Sequence, residues 1–380
     1  MVPWRSISLV MSTAFCIGVT LGLFPALIAL NVEYRGFDTG WNGLLAAMPA
    51  LAGIAVGPFA PSIIGRLGAL PTYLAAAALA ATMVCLFPLF PDFVAWFAIR
   101  FAMGLGMGVQ WIVSEMWVNR LAIGPRRGAI LGLYVVVLSV GLSAGPFLMN
   151  LLGTRGAAPF YGTAGLLVAS CLPLFFASGA STSGKVGTAQ LTLAQAVRRS
   201  PAAMLAGVID GFIFQTFMIF LALYFLRLGT AETVAVNFLA IFFLGGILLQ
   251  FVIGHLLDLC PPRAVLIACC LLIVSGLAIM AGVRDVPLLI WPTMLVIGGA
   301  SAAVYTSGLA GIADSFSAEE MPSGTAAFSV LWYVGGLTGP VTAGYAMDWW
   351  NPHGMALMIA AAALALATVN ALPLGSQARR

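Results

Sequence analysis

Three ionisable residues of this chain interrupt apolar runs: Arg100, Glu115 and Asp210. Charged groups at membrane depth are costly and normally face a bundle interior or a wet cavity, so each calls for a chemical reason. Arg100 can hold an anionic group, balance an acid, or bond backbone carbonyls. Asp210, in Val208-Ile-Asp210-Gly211, can load a proton on one side of a membrane and release it on the other. Glu115 stands shortly before Arg120, where it can serve as a conformational latch or as a second proton carrier. On a helix of about 100° per residue, Arg100, Gly104, Trp111 and Glu115 fall within roughly 60° of one another. One face then carries both charges and an indole, which reads as the wall of a transport pathway.

Other chemistries lack their parts. His255 and His353 are the two histidines, and no CxxC pair or His/Cys spacing suits zinc. Cys16, Cys85, Cys171, Cys269 and Cys270 lie in apolar runs and read as small buried residues. A membrane-embedded enzyme needs a metal cluster or a nucleophile with its base, so neither enzymatic activity nor a cofactor is expected. Gly104-Leu-Gly106-Met-Gly108 has the look of a nucleotide loop, but no strand precedes it. Small residues inside an apolar run let helices approach closely instead. Without a phosphate-binding loop there is no sign of ATP drive. A net charge of +4 is too small to suggest nucleic acid.

The elements that must position these residues follow from composition. Hydrophobic residues make up 62% of the 380 and charged residues 7%, against about 25% charged in soluble proteins. About 20 apolar residues cross a bilayer. Charge-free runs lie between Arg5 and Glu33, Asp38 and Arg66, and Arg66 and Asp92. The first outlasts a signal-peptide core and is read as a span. The fourth span is the Arg100–Glu115 helix, and two more lie between Arg127 and Arg155 and between Arg155 and Lys185. A polar interval from Ser181 to Ser200 precedes spans at 201–226, 233–257, 264–283, 286–312, 321–347 and 352–374.

Basic residues set the orientation. With the N-terminus in the cytoplasm, that side receives Arg5, Arg66, Arg120, Arg126, Arg127, Lys185, Arg198, Arg199, Arg263, Arg379 and Arg380. The other side keeps Arg35, Arg155, Arg227 and Arg284. Both termini and the central interval are therefore expected inside. The two sets of spans also repeat. At an offset of about 194 residues, Gly141-x3-Gly145-Pro146 lies over Gly335-x3-Gly339-Pro340, and Gly104 over Gly298. Pro146 and Pro340 each remove a backbone donor, so Gly145-Pro146 and Gly339-Pro340 are expected to bend their helices.

This arrangement resembles the major facilitator superfamily over essentially the whole chain. The superfamily's loop between its second and third helices reads G-x-x-x-D-R-x-G-R/K. The first half carries a degraded copy, Pro61-Ser-Ile-Ile-Gly65-Arg66-Leu-Gly68-Ala69, and the second half keeps Gly254-x3-Asp258-Leu-x-x-Pro-Arg263. Arg100-x3-Gly104 is similar to the family's fourth-helix arginine motif. The Gly-Pro segment of the fifth span resembles the antiporter motif, with Phe147-Leu-Met-Asn150 in place of its closing glycines.

The resemblance implies an all-α membrane protein with twelve transmembrane helices in two six-helix halves related by pseudo-two-fold symmetry. The halves would be an N-terminal bundle over 1–178 and a C-terminal bundle over 201–380, joined by a cytoplasmic linker over 179–200. It implies a monomeric secondary transporter in the inner membrane whose partners are a small molecule, protons and the lipid bilayer. Arg66, Asp258 and Arg263, at helix ends in the two family-like loops, are candidate conformational latches, with Glu115 as a partner for Arg66. Helices 1, 4, 7 and 10 line the cavity in this superfamily. That makes Phe15, Phe24, Gln110, Trp111, Phe214, Gln215 and Tyr305 candidates to line it, with Trp332 from the eleventh span. The Gly-Pro helix and the aromatic, sparsely charged lining favour proton-coupled export of an amphipathic compound. The alternative is proton-coupled uptake of a small, anionic metabolite held by Arg100. A non-transporting membrane receptor or assembly protein would require neither Arg100 nor Asp210 at depth.

Overall fold

In lipid a chain must satisfy its own backbone, and an uninterrupted apolar run does so as a helix. The computed structural model describes residues 4–121, 127–176, 192–282, 287–317 and 320–372, and every regular element among them is helical. Ten of those helices are long and apolar enough to cross a membrane. The chain divides into two units, Met1–Phe37 with Leu44–Val186, and Asp38–Gly43 with Gly187–Arg380.

The first unit is built on α1 (Trp4–Tyr34), α4 (Ala69–Leu86), α5 (Phe93–Leu121), α6 (Arg127–Leu152) and α7 (Ala158–Ala169), with most of α2 (Thr39–Val56). Helix α1 lies mainly along α6, and α4 along α5 and α7. Glycines allow the close crossings. A Cβ on Gly141 would stand 2.5 Å from the Phe15 carbonyl oxygen, and one on Gly145 2.7 Å from the Leu23 nitrogen. A Cβ on Gly104 would stand 2.7 Å from the Pro49 Cα of α2.

The second unit repeats this with α9 (Pro201–Arg227), α10 (Glu232–Leu248), α12 (Pro262–Gly282), α13 (Pro287–Ser315), α14 (Met321–Trp349) and α15 (Gly354–Ala371). Helix α9 lies along α14, and α12 along α13 and α15. At the repeat positions, a Cβ on Gly335 would run into the Val208 carbonyl of α9, and one on Gly339 would stand 2.5 Å from the Phe212 carbonyl oxygen. Gly298 seats on the Phe242 carbonyl of α10, as Gly104 does on Pro49. The offset seen in the sequence is thus the offset of the helix contacts.

Several expectations need adjusting. The first family-like loop is itself a helix, α3 (Ala60–Leu67), and the eighth span is two helices, α10 and α11 (Gln250–Leu259), divided at Leu249. The sixth apolar run is a shorter stretch, Ala158–Leu174, which ends in a 3-10 helix, Leu172–Phe176. Pro146 and Pro340 lie inside α6 and α14, the positions at which bends are expected. Of the expected linker, residues 179–191 with Lys185 lie outside the described residues, as do Arg126, Arg284, Arg379 and Arg380. Its last part is α8 (Leu193–Arg199), opened by a capping box in which the Thr192 hydroxyl accepts from the Gln195 N–H.

Two acids tie separate segments together. Glu320 pairs with Arg199 at 2.6 Å and accepts the Ser317 N–H at 3.1 Å and its hydroxyl at 2.9 Å. The bonds from Ser317, more than Arg199, hold its carboxyl below the usual carboxylate range. This tie therefore stabilises near neutrality and is lost as pH falls through that lowered value. In the same unit, Asp348 accepts the N–H groups of Thr39 and Gly40, both at 2.7 Å, and so caps the start of α2.

The close crossings predict a contrast between two glycines. Gly335→Ala should lower stability by about 1–3 kcal/mol, the usual cost of overpacking. Gly132→Ala, with nothing within 4 Å of its added Cβ, should be neutral or gain up to about 1 kcal/mol. Unfolding of the purified protein in detergent measures both.

Candidate functional site

In the first unit the site is Arg100. It is 3% exposed on α5. Its guanidinium carbon lies 5.0 Å from the ring centroid of Phe24 on α1, and its Nη1 lies 4.0 Å from the Met103 sulfur. Its Nε has no hydrogen-bond partner. Among the described residues no carboxylate pairs with it and no backbone carbonyl accepts from it. Of the three uses open to this arginine, balancing an acid and bonding carbonyls are therefore not made here. The energies are unequal. A desolvated cation–π contact contributes about 2 kcal/mol, whereas taking an ion out of water costs several. The charge is left poorly compensated, as suits a group that waits for an anion.

Phe24 is held by the core of this unit. It packs edge-on against Phe87 at 5.5 Å and Phe160 at 6.2 Å, and Phe87 meets Trp96 at 5.0 Å. All four rings are buried. Gln110, also buried on α5, has neither amide atom hydrogen-bonded. Trp111 is half-buried, Phe15 is partly exposed and Glu115 is exposed. The shared face of α5 is thus divided: Arg100 meets Phe24 of α1, Gly104 meets α2, and Glu115 is exposed.

In the second unit the site is Asp210, 3% exposed on α9. Its Oδ2 accepts the indole N–H of Trp332 on α14 at 2.8 Å. The neighbouring glycine sets this up. A Cβ on Gly211 would run into the Trp332 carbonyl, so its absence brings α14 close enough for the indole to reach the acid. Phe214, one turn on, has its ring centroid 6.1 Å from that of Trp332. Gln215 follows, its Oε1 buried without a partner and its Cγ beside Gly336. Asp210, Phe214, Gln215 and Trp332 are therefore one cluster. Tyr305, 37% exposed on α13, stacks edge-on with Phe328 at 5.2 Å and lies outside it.

The candidate latch residues are not paired. Arg66 ends α3, Asp258 lies near the end of α11 and Arg263 near the start of α12. All three are exposed. Among the described residues Arg66 makes no ion pair with Glu115, nor Asp258 with Arg263. Asp348 is a helix cap that the sequence did not show. Its carboxylate finds its donors more than 300 positions away, and the only signal was an acid between an apolar run and two tryptophans.

Long apolar helices in two similarly packed units, each with one buried charged residue among those described, define a multi-pass membrane transporter. A family model described as Major Facilitator Superfamily matches residues 8–239 and 203–376, and the chain belongs to that superfamily. It is 25% identical over 339 residues to the MFS-type transporter YfkF of Bacillus subtilis, covering 87% of this chain and 86% of that one. It is 23% identical over 362 residues to YcaD of Escherichia coli, covering 94% and 92%. The fold matches the crystal structure of the nucleoside transporter NupG with a TM-score of 0.81 at 14% identity, over 97% of this chain and 98% of the other. It also matches a bacterial homolog of the human lysosomal transporter Spinster, with a TM-score of 0.71 at 12% identity, over 98% and 96%. The protein is a secondary transporter of a small molecule by alternating access, and not an enzyme.

The Asp210–Trp332 bond predicts a coupling energy. A hydrogen bond to a charged group contributes about 1.5–3 kcal/mol. Trp332→Phe should lose more stability in the parent than in an Asp210→Ala background, and a double-mutant cycle by thermal unfolding measures the difference.

Proposed function

We propose that this transporter takes up a small anionic metabolite together with protons, with Arg100 as the anchor of the anion and Asp210 as the proton carrier. The observation that carries the reading is the buried guanidinium of Arg100, which has an aromatic face and a thioether beside it and, among the described residues, is bonded to neither a carboxylate nor a carbonyl. Direction follows from charge. Moving one elementary charge against the membrane potential costs about 2.3 kcal/mol per 100 mV. An anion entering a cell that is negative inside meets that cost, and a proton carried by a carboxyl cancels it. An anion leaving needs no such help.

The export reading rested on the Gly-Pro segment of the fifth span and on the aromatic, sparsely charged lining. Gly141 and Gly145 seat α6 on α1, and Gly335 and Gly339 seat α14 on α9 in the same way. A packing device present in both units gives no reason to prefer export. Arg66, Asp258, Arg263 and Glu115 remain candidates to bias the conformational balance, as exposed charges at helix ends.

Transport by the protein in liposomes tests this. Arg100→Gln should lose roughly 10- to 100-fold in substrate affinity, the worth of about 1.5–3 kcal/mol of charged hydrogen bonding. Arg100→Lys should retain part of it, because it keeps the charge and loses the planar fork. Asp210→Asn should exchange substrate and fail to concentrate it under a pH gradient. Parental accumulation by a well-folded Asp210→Asn protein would remove Asp210 from the coupling.

A further inference from the structure

A second polar site lies in the second unit, away from Asp210. It is a cavity of about 320 Å³ where α9 and α12 begin and α13 and α15 end. That size is near the lower end of ligand sites, about 300–1,000 Å³. Its polar side chains are Ser200, Arg263, Ser307, Ser315 and Asn370.

The four helix ends are not treated alike. The two C-terminal ends have carbonyls occupied by their own side chains: the Ser315 hydroxyl donates to the Gly311 carbonyl at 2.7 Å, and the Asn370 amide donates to the Leu366 carbonyl at 2.9 Å. The N-terminal end of α9 is left open. No side chain caps it, and Ala202 and Ala203, which line the cavity, precede its first backbone bond, from the Met204 N–H to the Ser200 carbonyl at 3.0 Å. Such orphan N–H groups, with the helix dipole behind them, favour negative charge. Arg263, in the first turn of α12, adds a guanidinium to the same cavity and makes no ion pair among the described residues.

A separate observation points to an occupant. Ser307, Gly311 and Ser315 follow one another at i, i+4 and i+8 along one face of α13. Ser307 lines the cavity, is 2% exposed, and its hydroxyl has no hydrogen-bond partner. A serine in a helix ordinarily bonds the preceding turn, as Ser315 does. A buried hydroxyl left unmade costs about 1–3 kcal/mol, a cost that a bound acceptor removes.

We propose that this cavity binds a phosphate-bearing anion, with Arg263, the Ser307 hydroxyl and the open end of α9 as its donors. Phospholipid headgroups and free phosphate share this chemistry. The site is independent of the transported substrate and of Arg100.

The full-length protein in neutral detergent is titrated in two arms, with inorganic phosphate and with phosphatidylglycerol in mixed micelles, and binding is read by thermal shift and native mass spectrometry. At least one arm should show saturable binding. That binding should weaken about tenfold in Arg263→Gln, as for loss of a charged hydrogen bond, and measurably in Ser307→Ala. Binding in the phosphate arm alone identifies a soluble anion, and binding in the phosphatidylglycerol arm alone a lipid headgroup. Absence of binding in both arms overturns the proposal, as does equal binding by the parent and both variants. Ser307→Ala removes one oxygen and decides the matter if Arg263→Gln does not fold.

Discussion

An arginine inside an apolar helix bundle has to be balanced by something, because the penalty for removing an ion from water runs to several kcal/mol. In the first unit of this transporter the balance is incomplete. Arg100 faces Phe24 and the Met103 sulfur, its Nε is unpaired, and no acid is paired with it among the described residues. The surrounding structure is arranged to keep this so. Phe24 is fixed by buried rings on α4, α5 and α7, or at their ends, and the neighbouring turn of α5 is drawn against α2 at Gly104. A rigid aromatic frame around an unsatisfied cation is a poor way to stabilise a fold and a good way to hold a place for an anion.

The second unit uses the same packing and the opposite charge. Gly335 and Gly339 seat α14 on α9 as Gly141 and Gly145 seat α6 on α1. Asp210 sits on the repeat of α1, the helix that gives Phe24 to the first site. Its partner Trp332 is a neutral donor, not a cation. A carboxyl so placed keeps its hydrogen bond to the indole in either protonation state, with no buried ion pair to break, which suits the proton-carrying role we propose for it.

The helix pattern, the repeat and the family were legible in the sequence because each follows from a local requirement. Charge-free length makes a span, and a crossing at backbone distance demands glycine at matching positions in both halves. What the sequence could not show were relations between distant positions. That no described acid pairs with Arg100, that Trp332 reaches Asp210, and that Asp348 caps α2 all depend on which helix lies beside which. The spacing of charges around Arg66, Asp258 and Arg263 also suggested ion pairs, and among the described residues none is formed between them. An i, i+4 or loop spacing brings two charges near each other without fixing them against solvent or headgroups, where such pairs contribute little.

We propose that Arg100 is kept for a ligand at a cost to the fold. Thermal unfolding of the parent and of Arg100→Met, each with and without small anionic metabolites, tests it most directly. Replacing a poorly compensated buried charge with an apolar side chain of similar length should raise the unfolding temperature of the ligand-free protein, in line with gains of about 1–4 kcal/mol for such exchanges. The variant should also lose any further rise that the anions give the parent. A lower unfolding temperature for Arg100→Met without ligand, with the response to anions intact, would show that Arg100 holds the fold together and that the anion binds elsewhere.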